Sequence, residues 1–368
     1  MRLLFVSGTT IGGSGRSQRE LAARLRARGH DVLVLVDPEH GSRVRRVVYE
    51  QLSDVGARLD GWPGAGLVRW LERRPGRRTH RTDVEGIPHV FTPVPENALE
   101  GVVEGFRPDV VIGSSVLRLT WRKARSLLEL RGVPTVLYIR EVEAMNHFEG
   151  EREPADAVVA NAESLRRRVD AFGVDCTVFP SVIDVDVTRV SSTRRVALVV
   201  NPIESRGIDT VWRLAECLPD VPFAAQESWP LTAEQLGAIQ RRLSRLPNVE
   251  LRRAEPPGPR LYRDARVLLV PYRVDNRPRV IAEAQANGIP VIVGDAPALV
   301  EAVGGGGVVV PTDDVDGWCS AIRSMWTDED HYQELATQAR RHSERAAISA
   351  DVVAGHFEEF LVDLLRRA

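Results

Sequence analysis

The chain has 368 residues, with 49 basic and 51 acidic side chains, a formal net charge of −2, 43% hydrophobic residues and only 6% aromatic ones. That length is too great for one compact core and suits two domains of ordinary size. The near-neutral charge excludes the electrostatic footprint of a dedicated nucleic-acid binder, and no apolar run approaches the ~20 residues of a membrane helix, so a soluble globular protein with no transmembrane segment is expected.

Of the basic residues, 48 are Arg and the only Lys is Lys123, a bias expected of a GC-rich genome. Cys176, Cys217 and Cys319 are far apart and form no Cys-x-x-Cys pair, which suits a reducing cytoplasm. The start MRLLFVSGTT has an apolar run too short for a signal peptide and reads as a buried first strand.

Short runs rich in Val, Ile and Leu alternate with longer segments of helical period, the pattern of an α/β fold with parallel sheets covered by helices. Strands are predicted at 3–6, 32–36, 109–113, 135–139 and 157–161. Between the first two lies RSQRELAARLRARG, where Ser17-x-x-Glu20 suggests a capping box, Leu21 and Leu25 share a face, and Gly29 suits the C′ position. A cluster of Arg69, Arg73, Arg74, Arg77, Arg78 and Arg81 stands among Pro and Gly and reads as a solvated loop before it reads as an anion site. After a polar stretch the pattern restarts, with strands predicted at 196–200, 267–270, 290–293 and 307–310. The expected domains are 1–183 and 195–345, with a linker near 184–194. The segment 351–366 sets Val353, Phe357, Phe360, Leu361 and Leu364 on one helical face and is expected to pack back on the first domain.

Two loops suit chemistry. GTTIGGSG at 8–15 follows a strand and opens a helix, so small residues let backbone N–H groups approach an anion. It matches neither G-x-G-x-x-G nor a P-loop, and Asp37, ending the second strand, reads as a turn residue. In VLLVPYRVDNRPRVIAEAQANGIPVIV at 267–293, a helix is predicted to start near Pro278, capped by Asp275 or Asn276, and to end at Gly288. A helix entering from the carboxyl edge of a parallel sheet marks a ligand site. Glu283 falls about five residues into it, one turn behind a diphosphate at the N-terminus and within reach of a ribose; the plainer alternative is a solvent-facing helix residue. Asp275 falls on the other side of the phosphates.

The acids Asp275 and Glu283, eight residues apart on a strand-loop-helix, resemble the E-x7-E region of retaining GT-B glycosyltransferases, particularly glycosyltransferase family 4. IGGSGRSQRELAARLRARGHDV, VVNPIESRGIDTVWRLAECLPDVPF and LYRDARVLLVP resemble further segments of that family, in the family's order. The resemblance implies a GT-B fold of two facing Rossmann-like domains, the second holding a nucleotide-diphosphate sugar and the first an acceptor. It implies that Glu283 binds the ribose hydroxyls and Asp275 the transferred sugar. Backbone N–H groups around Arg279 and Val280, with Gly12 and Gly13, approach the diphosphate or sugar, and Arg206 stands where the family places a phosphate-binding Lys. Asp275 is one methylene shorter than the usual Glu, and Asn201 replaces a common Arg. Arg140 and Glu141 stand where many relatives carry a His-containing motif; they are expected either to face the acceptor or to form a surface ion pair.

The implied reaction is metal-independent transfer with retention, using no cofactor beyond the nucleotide-sugar co-substrate, in the cytoplasm. DVDV at 184–187 is assigned to the linker, and His30, His147, His331, His342 and His356 are expected to be structural or solvent residues. UDP, GDP, ADP and dTDP donors all fit, and a small soluble acceptor is favoured over a lipid-linked glycan. The competing classes are a nucleotide-sugar epimerase, a non-catalytic nucleotide-sugar-binding protein and, last, a nicotinamide dehydrogenase.

Overall fold

A parallel strand covered by helices on both faces needs apolar side chains in both directions, so its sequence runs hydrophobic without alternation. The computed structural model describes residues 1–8, 12–37, 79–92, 95–116, 118–149, 154–254 and 258–367. The chain divides into two compact units. Unit 1 gathers Met1–Asn161, Leu165–Pro180 and Val353–Ala368, and unit 2 gathers Ala162–Ser164 and Ser181–Val352.

In chain order the first elements are β1 (Arg2–Ser7), α1 (Gly12–Ala27), β2 (Asp31–Val36), β3 (His80–Val84), β4 (Ile87–Phe91), α2 (Pro95–Phe106), β5 (Val110–Ser114), α3 (Arg118–Leu130), β6 (Thr135–Ile139), β7 (Ala157–Ala160), α4 (Glu163–Asp170) and β8 (Cys176–Val178). Among the described residues the sheet of unit 1 runs β3-β4-β2-β1-β5-β6-β7-β8. Its strands pair in parallel except β3 with β4. That hairpin turns through Glu85 and Gly86, both at positive φ, as a two-residue turn of matching twist requires. Sequence periodicity missed it because β3 is an exposed edge strand, HRTDV, with no buried face to betray it. The capping box at Ser17 is not formed: α1 begins five residues earlier at Gly12, and Ser17 is buried within it at 1% exposure. Glu20 instead pairs with Arg16 one turn back, at 3.1 Å.

The last helix, α11 (Ala350–Arg367), lays Val353, Phe357 and Leu361 into unit 1. The Phe357 ring lies 5.1 Å edge-on from that of Phe179 and 6.0 Å from that of Tyr138, whose hydroxyl donates to the Phe179 carbonyl at 2.5 Å. Glu358 meets Arg28, and its Oε1 lies 2.8 Å from His30 Nε2, so His30 has the structural role expected of it.

Unit 2 continues with β9 (Val196–Val200), α5 (Ile208–Cys217), β10 (Phe223–Gln226), α6 (Ala233–Leu243), β11 (Val249–Arg252), β12 (Ala265–Val270), α7 (Arg279–Ala286), β13 (Val291–Val293), α8 (Pro297–Val303), β14 (Gly307–Val309), α9 (Val315–Thr327) and α10 (Glu329–Ser343). Its described strands lie parallel in the order β11-β10-β9-β12-β13-β14. Side chains alternate between two cores: Ala197, Val199, Val267 and Leu269 join one with Trp318 and Tyr332, while Val196, Leu198, Val200, Leu268 and Val270 join the other with Tyr262 and Ile281. Residues 184–194 are built into this unit. Val190 N–H donates to Asn287 Oδ1 at 2.6 Å, Ser192 Oγ to the Ala265 carbonyl at 2.7 Å, and Thr193 N–H to the Arg263 carbonyl at 2.8 Å.

Candidate functional site

In unit 2 the connections run outward in opposite directions from β9 and from β12, which are neighbours. The loops leaving their carboxyl ends therefore part at a topological switch point, the crevice where open α/β sheets hold ligands. The two loops are locked together by backbone. Arg273 N–H donates to the Ser205 carbonyl at 3.3 Å. Gly207, at φ 72°, approaches Pro271 so closely that a Cβ there would lie 1.9 Å from the Pro271 carbonyl oxygen. Only glycine fits such a position without rearrangement.

That clamp presents Arg206, the last residue of a short turn, Glu204–Arg206. Its guanidinium carbon lies 4.5 Å from the centroid of the Tyr272 ring, a stacking that holds a planar cation by its face and leaves its N–H edge for an anion. Nη1 is buried and has no hydrogen-bond partner among the described residues. Tyr272 is itself buried and donates to the Val200 carbonyl at 3.3 Å. Burial pushes its phenol above the usual range, and the Arg206 charge pulls the other way.

The helix at the second acid starts at Arg279, with Pro278 as its N-cap and no capping side chain. The predicted cap from Asp275 or Asn276 is thus replaced. Asp275 Oδ1 accepts from Ala298 N–H at 2.8 Å, in the first turn of α8, because the loop folds toward that helix. Arg277 Nη1 reaches Glu301 of the same helix at 2.7 Å. N–H groups at positions such as Arg279 and Val280 are those an α-helix leaves without an intrahelical acceptor.

Glu283 is the fifth residue of α7 and is 2% exposed, so it is not a solvent-facing helix residue. A carboxylate so buried must be paired. Its Oε1 accepts from Arg279 Nε and its Oε2 from the Tyr262 hydroxyl, both at 2.6 Å. Asn201, at φ 59°, uses its side-chain oxygen to accept from Ser228 N–H and Oγ–H, each at 2.9 Å. It thereby joins the loops after β9 and β10. Nearby, the buried Glu227 accepts from Ala254 N–H at 3.0 Å. Tyr262, Tyr272 and Glu227 were not singled out from the sequence; a lone Tyr beside a hydrophobic run carries no mark of its partner.

In unit 1 the connections diverge in the same way between β1 and β5. Gly8 abuts Ser115, whose carbonyl oxygen would lie 1.9 Å from a Cβ at Gly8. Ser14 Oγ and Ser115 Oγ are 2.5 Å apart. Gly12 and Gly13 open α1 beside them in sequence, while residues 9–11 of the same loop lie outside the described residues. Arg140 is only 4% exposed, which rules out the surface ion pair for it. Its Nε donates to Ser114 Oγ at 3.0 Å, and its guanidinium carbon lies 4.0 Å from the Tyr138 ring centroid. Glu141 is half-buried and precedes the turn Val142–Phe148. His147 in that turn is buried within 3.1 Å of the Val116 carbonyl, and burial holds its imidazole below the usual range. Arg81 is exposed on β3, and the other arginines of its cluster lie outside the described residues.

Among the described residues no three His, Cys, Asp or Glu side chains group to hold a metal ion, and no helix is long and apolar enough to cross a membrane. Asp186 of DVDV pairs with Arg189 at 3.1 Å.

Residues 11–187 match the model of Glycosyltransferase Family 4, and residues 230–328 that of Glycosyl transferases group 1. Among curated proteins, a D-inositol 3-phosphate glycosyltransferase of Gordonia bronchialis is 34% identical over 87 residues, 23% of this chain and 19% of that protein. The matched stretch thus spans about a fifth of the length of that relative. Among solved structures, the sucrose-phosphate synthase of Thermosynechococcus elongatus has a TM-score of 0.78 at 13% identity, covering 100% of both chains. HepE of Anabaena, solved with UDP and glucose, has a TM-score of 0.74 at 14% identity, covering 99% of this chain and 100% of its own. A UDP-GlcNAc 2-epimerase of Neisseria meningitidis, bound to UDP-GlcNAc, shares the fold at a TM-score of 0.57 and 15% identity, over 99% of this chain and 100% of its own.

Proposed function

The chain belongs to glycosyltransferase family 4, with a GT-B fold, and on that premise we propose that it moves a sugar from a nucleoside-diphosphate donor to a small polar acceptor, with retention of configuration and without a metal. The observation that carries this reading is the switch point of unit 2, where one backbone clamp presents Arg206 and the helix that follows buries a doubly anchored Glu283. A cation for phosphate and a carboxylate for a diol are what a nucleoside diphosphate requires.

In this reading the donor diphosphate meets the first-turn N–H groups of Arg279 and Val280, and the ribose hydroxyls donate to Glu283. Asp275, oriented by Ala298 N–H, accepts from hydroxyls of the transferred sugar. As the bond from the anomeric carbon to the phosphate oxygen breaks, negative charge grows on the diphosphate. Arg206 and the helix-end N–H groups stabilise that charge where it develops, which is the useful place for preorganised dipoles. The departing phosphate oxygen takes the acceptor proton on the face where the new bond forms, which gives retention. The name of the curated relative supports a phosphorylated polyol as the class of acceptor, and the buried Arg140, with the half-buried Glu141, is assigned to the acceptor side.

The test is a panel of radiolabelled UDP-, GDP-, ADP- and dTDP-sugars incubated with and without inositol phosphates and simple sugars. Transfer yields a new product only when acceptor is present, with the anomeric configuration read by NMR and the rate unchanged by EDTA. Conversion of donor without acceptor points to an epimerase, and binding without turnover to a nucleotide-sugar-binding protein; either result refutes the proposal.

A further inference from the structure

We infer that Tyr262 is a positioning residue that sets the carboxylate of Glu283 for the donor ribose; this rests on the reading of Glu283 as the ribose-binding group. Tyr262 ends the short turn Pro259–Tyr262, which precedes β12, and lies wholly buried among Leu198, Leu268, Ile281 and Ala284. A phenol hydroxyl in such a layer is costly without a partner. Its partner is Glu283 Oε2 at 2.6 Å.

The geometry is specific in how the carboxylate is held. Arg279, one turn earlier on α7, takes Oε1, and Tyr262, from a different element, takes Oε2. The two donors come from different elements, so together they hold the carboxylate at both of its oxygens. The second donor fixes the carboxylate plane before any ligand arrives, so the rotamer entropy of Glu283 is lost on folding and not on binding. A carboxylate offers about four lone-pair sites over its two oxygens, so two protein donors do not by themselves exhaust it. The phenol also adds no charge, so the Arg279–Glu283 pair stays neutral overall.

A merely structural Tyr262 and a positioning one differ in what they do to ribose selectivity. The experiment is calorimetry on the whole protein with UDP, GDP and ADP, each beside its 2′-deoxy counterpart. Wild type is expected to favour one ribonucleotide over its deoxy form by about tenfold or more, the scale of a hydrogen bond to a charged acceptor. In Tyr262→Phe that preference falls below about threefold, while affinity for the deoxy form changes little. Equal loss of ribo and deoxy affinity, or an undiminished preference, overturns the inference. If Tyr262→Phe does not fold, 3-fluorotyrosine placed at position 262 keeps the ring and alters only the donor strength of the hydroxyl: a changed ribo-to-deoxy ratio with unchanged deoxy affinity supports the coupling, and an unchanged ratio overturns it. Absence of any ribo preference in wild type, or of any binding, instead removes the reading of Glu283 itself and the inference with it.

Discussion

Gly207→Ala probes the backbone clamp of unit 2 directly. Two separate costs apply at this position. Its φ of 72° places a non-glycine residue in the left-handed region, at about 1–2 kcal/mol. The added Cβ would also lie 1.9 Å from the Pro271 carbonyl oxygen, an atom of main chain that cannot swing aside, and forced displacement of packed structure costs about 1–3 kcal/mol. Together these predict a loss of about 2–5 kcal/mol from unit 2, or roughly 4–20 °C in its calorimetric transition. Gly288→Ala is the internal control. It too has positive φ, 64°, but the nearest atoms its Cβ would meet belong to the Arg340 guanidinium, at 2.7 Å, the mobile end of a long side chain. That variant should lose about 1–2 kcal/mol, from strain alone. Because the clamp carries Arg206 and Tyr272, Gly207→Ala should also weaken nucleoside-diphosphate binding by about tenfold, the worth of one charged hydrogen bond, while Gly288→Ala leaves it intact. Equal destabilisation by the two substitutions, with equal nucleotide affinity, would refute the reasoning.

Arg206→Ala should lower turnover by about a hundredfold, the scale of one lost electrostatic contact in a transition state, with little change in melting temperature; a wild-type rate contradicts the assignment. Burial and the nearby Arg345 charge push the His342 imidazole down to about 4. The folded value lies below that of the unfolded chain, so the stabilisation from neutral His342 is complete above pH ~6.5 and is lost as pH falls toward 4. Its ring resonances should still report a neutral imidazole at pH 5.5, and a midpoint near 6.5 would overturn this. Burial, and then the neighbouring Cys217, push the Cys319 thiol up to about 12. Iodoacetamide at pH 8 should therefore modify the exposed Cys217 and spare the buried Cys319 until denaturant is added, a pattern read by peptide mass mapping.

The buried parallel strands were legible because their hydrophobic runs leave no other reading: VALVV became β9 and TVLYI became β6 at the predicted residues. The elements that were missed lacked that signal. FAAQ, with two alanines, and the exposed edge strand HRTDV hold their places through neighbours and not through composition. Capping failed as a guide twice: at Ser17 because the helix begins a turn and a half earlier, at Gly12, and at Asp275 because Ala298 N–H of another helix claims the side chain. The candidate site was visible as spacing, since Asp275, Arg279 and Glu283 belong to one loop and helix. Its anchoring was not: Tyr262 lies 21 residues from Glu283 along the chain, and nothing local in LYRDAR points to that bond. The approach of Cys217 to Cys319 was hidden for the same reason, since each helix is read alone in a sequence.

The wiring of α11 has a bearing on how the chain is made. Unit 2 is almost one continuous stretch, Ser181–Val352, whereas unit 1 takes its last piece from Val353 onward. During synthesis most residues of unit 1 emerge first, but Phe357 cannot reach Tyr138 and Phe179 until all of unit 2 has been translated. The earlier-made unit is therefore the later one to close, and its apolar surface at Phe179 waits through about 170 further residues, some ten to thirty seconds at ordinary bacterial elongation rates. Until then the side chains of unit 1 that Phe357 covers in the folded chain lack that cover.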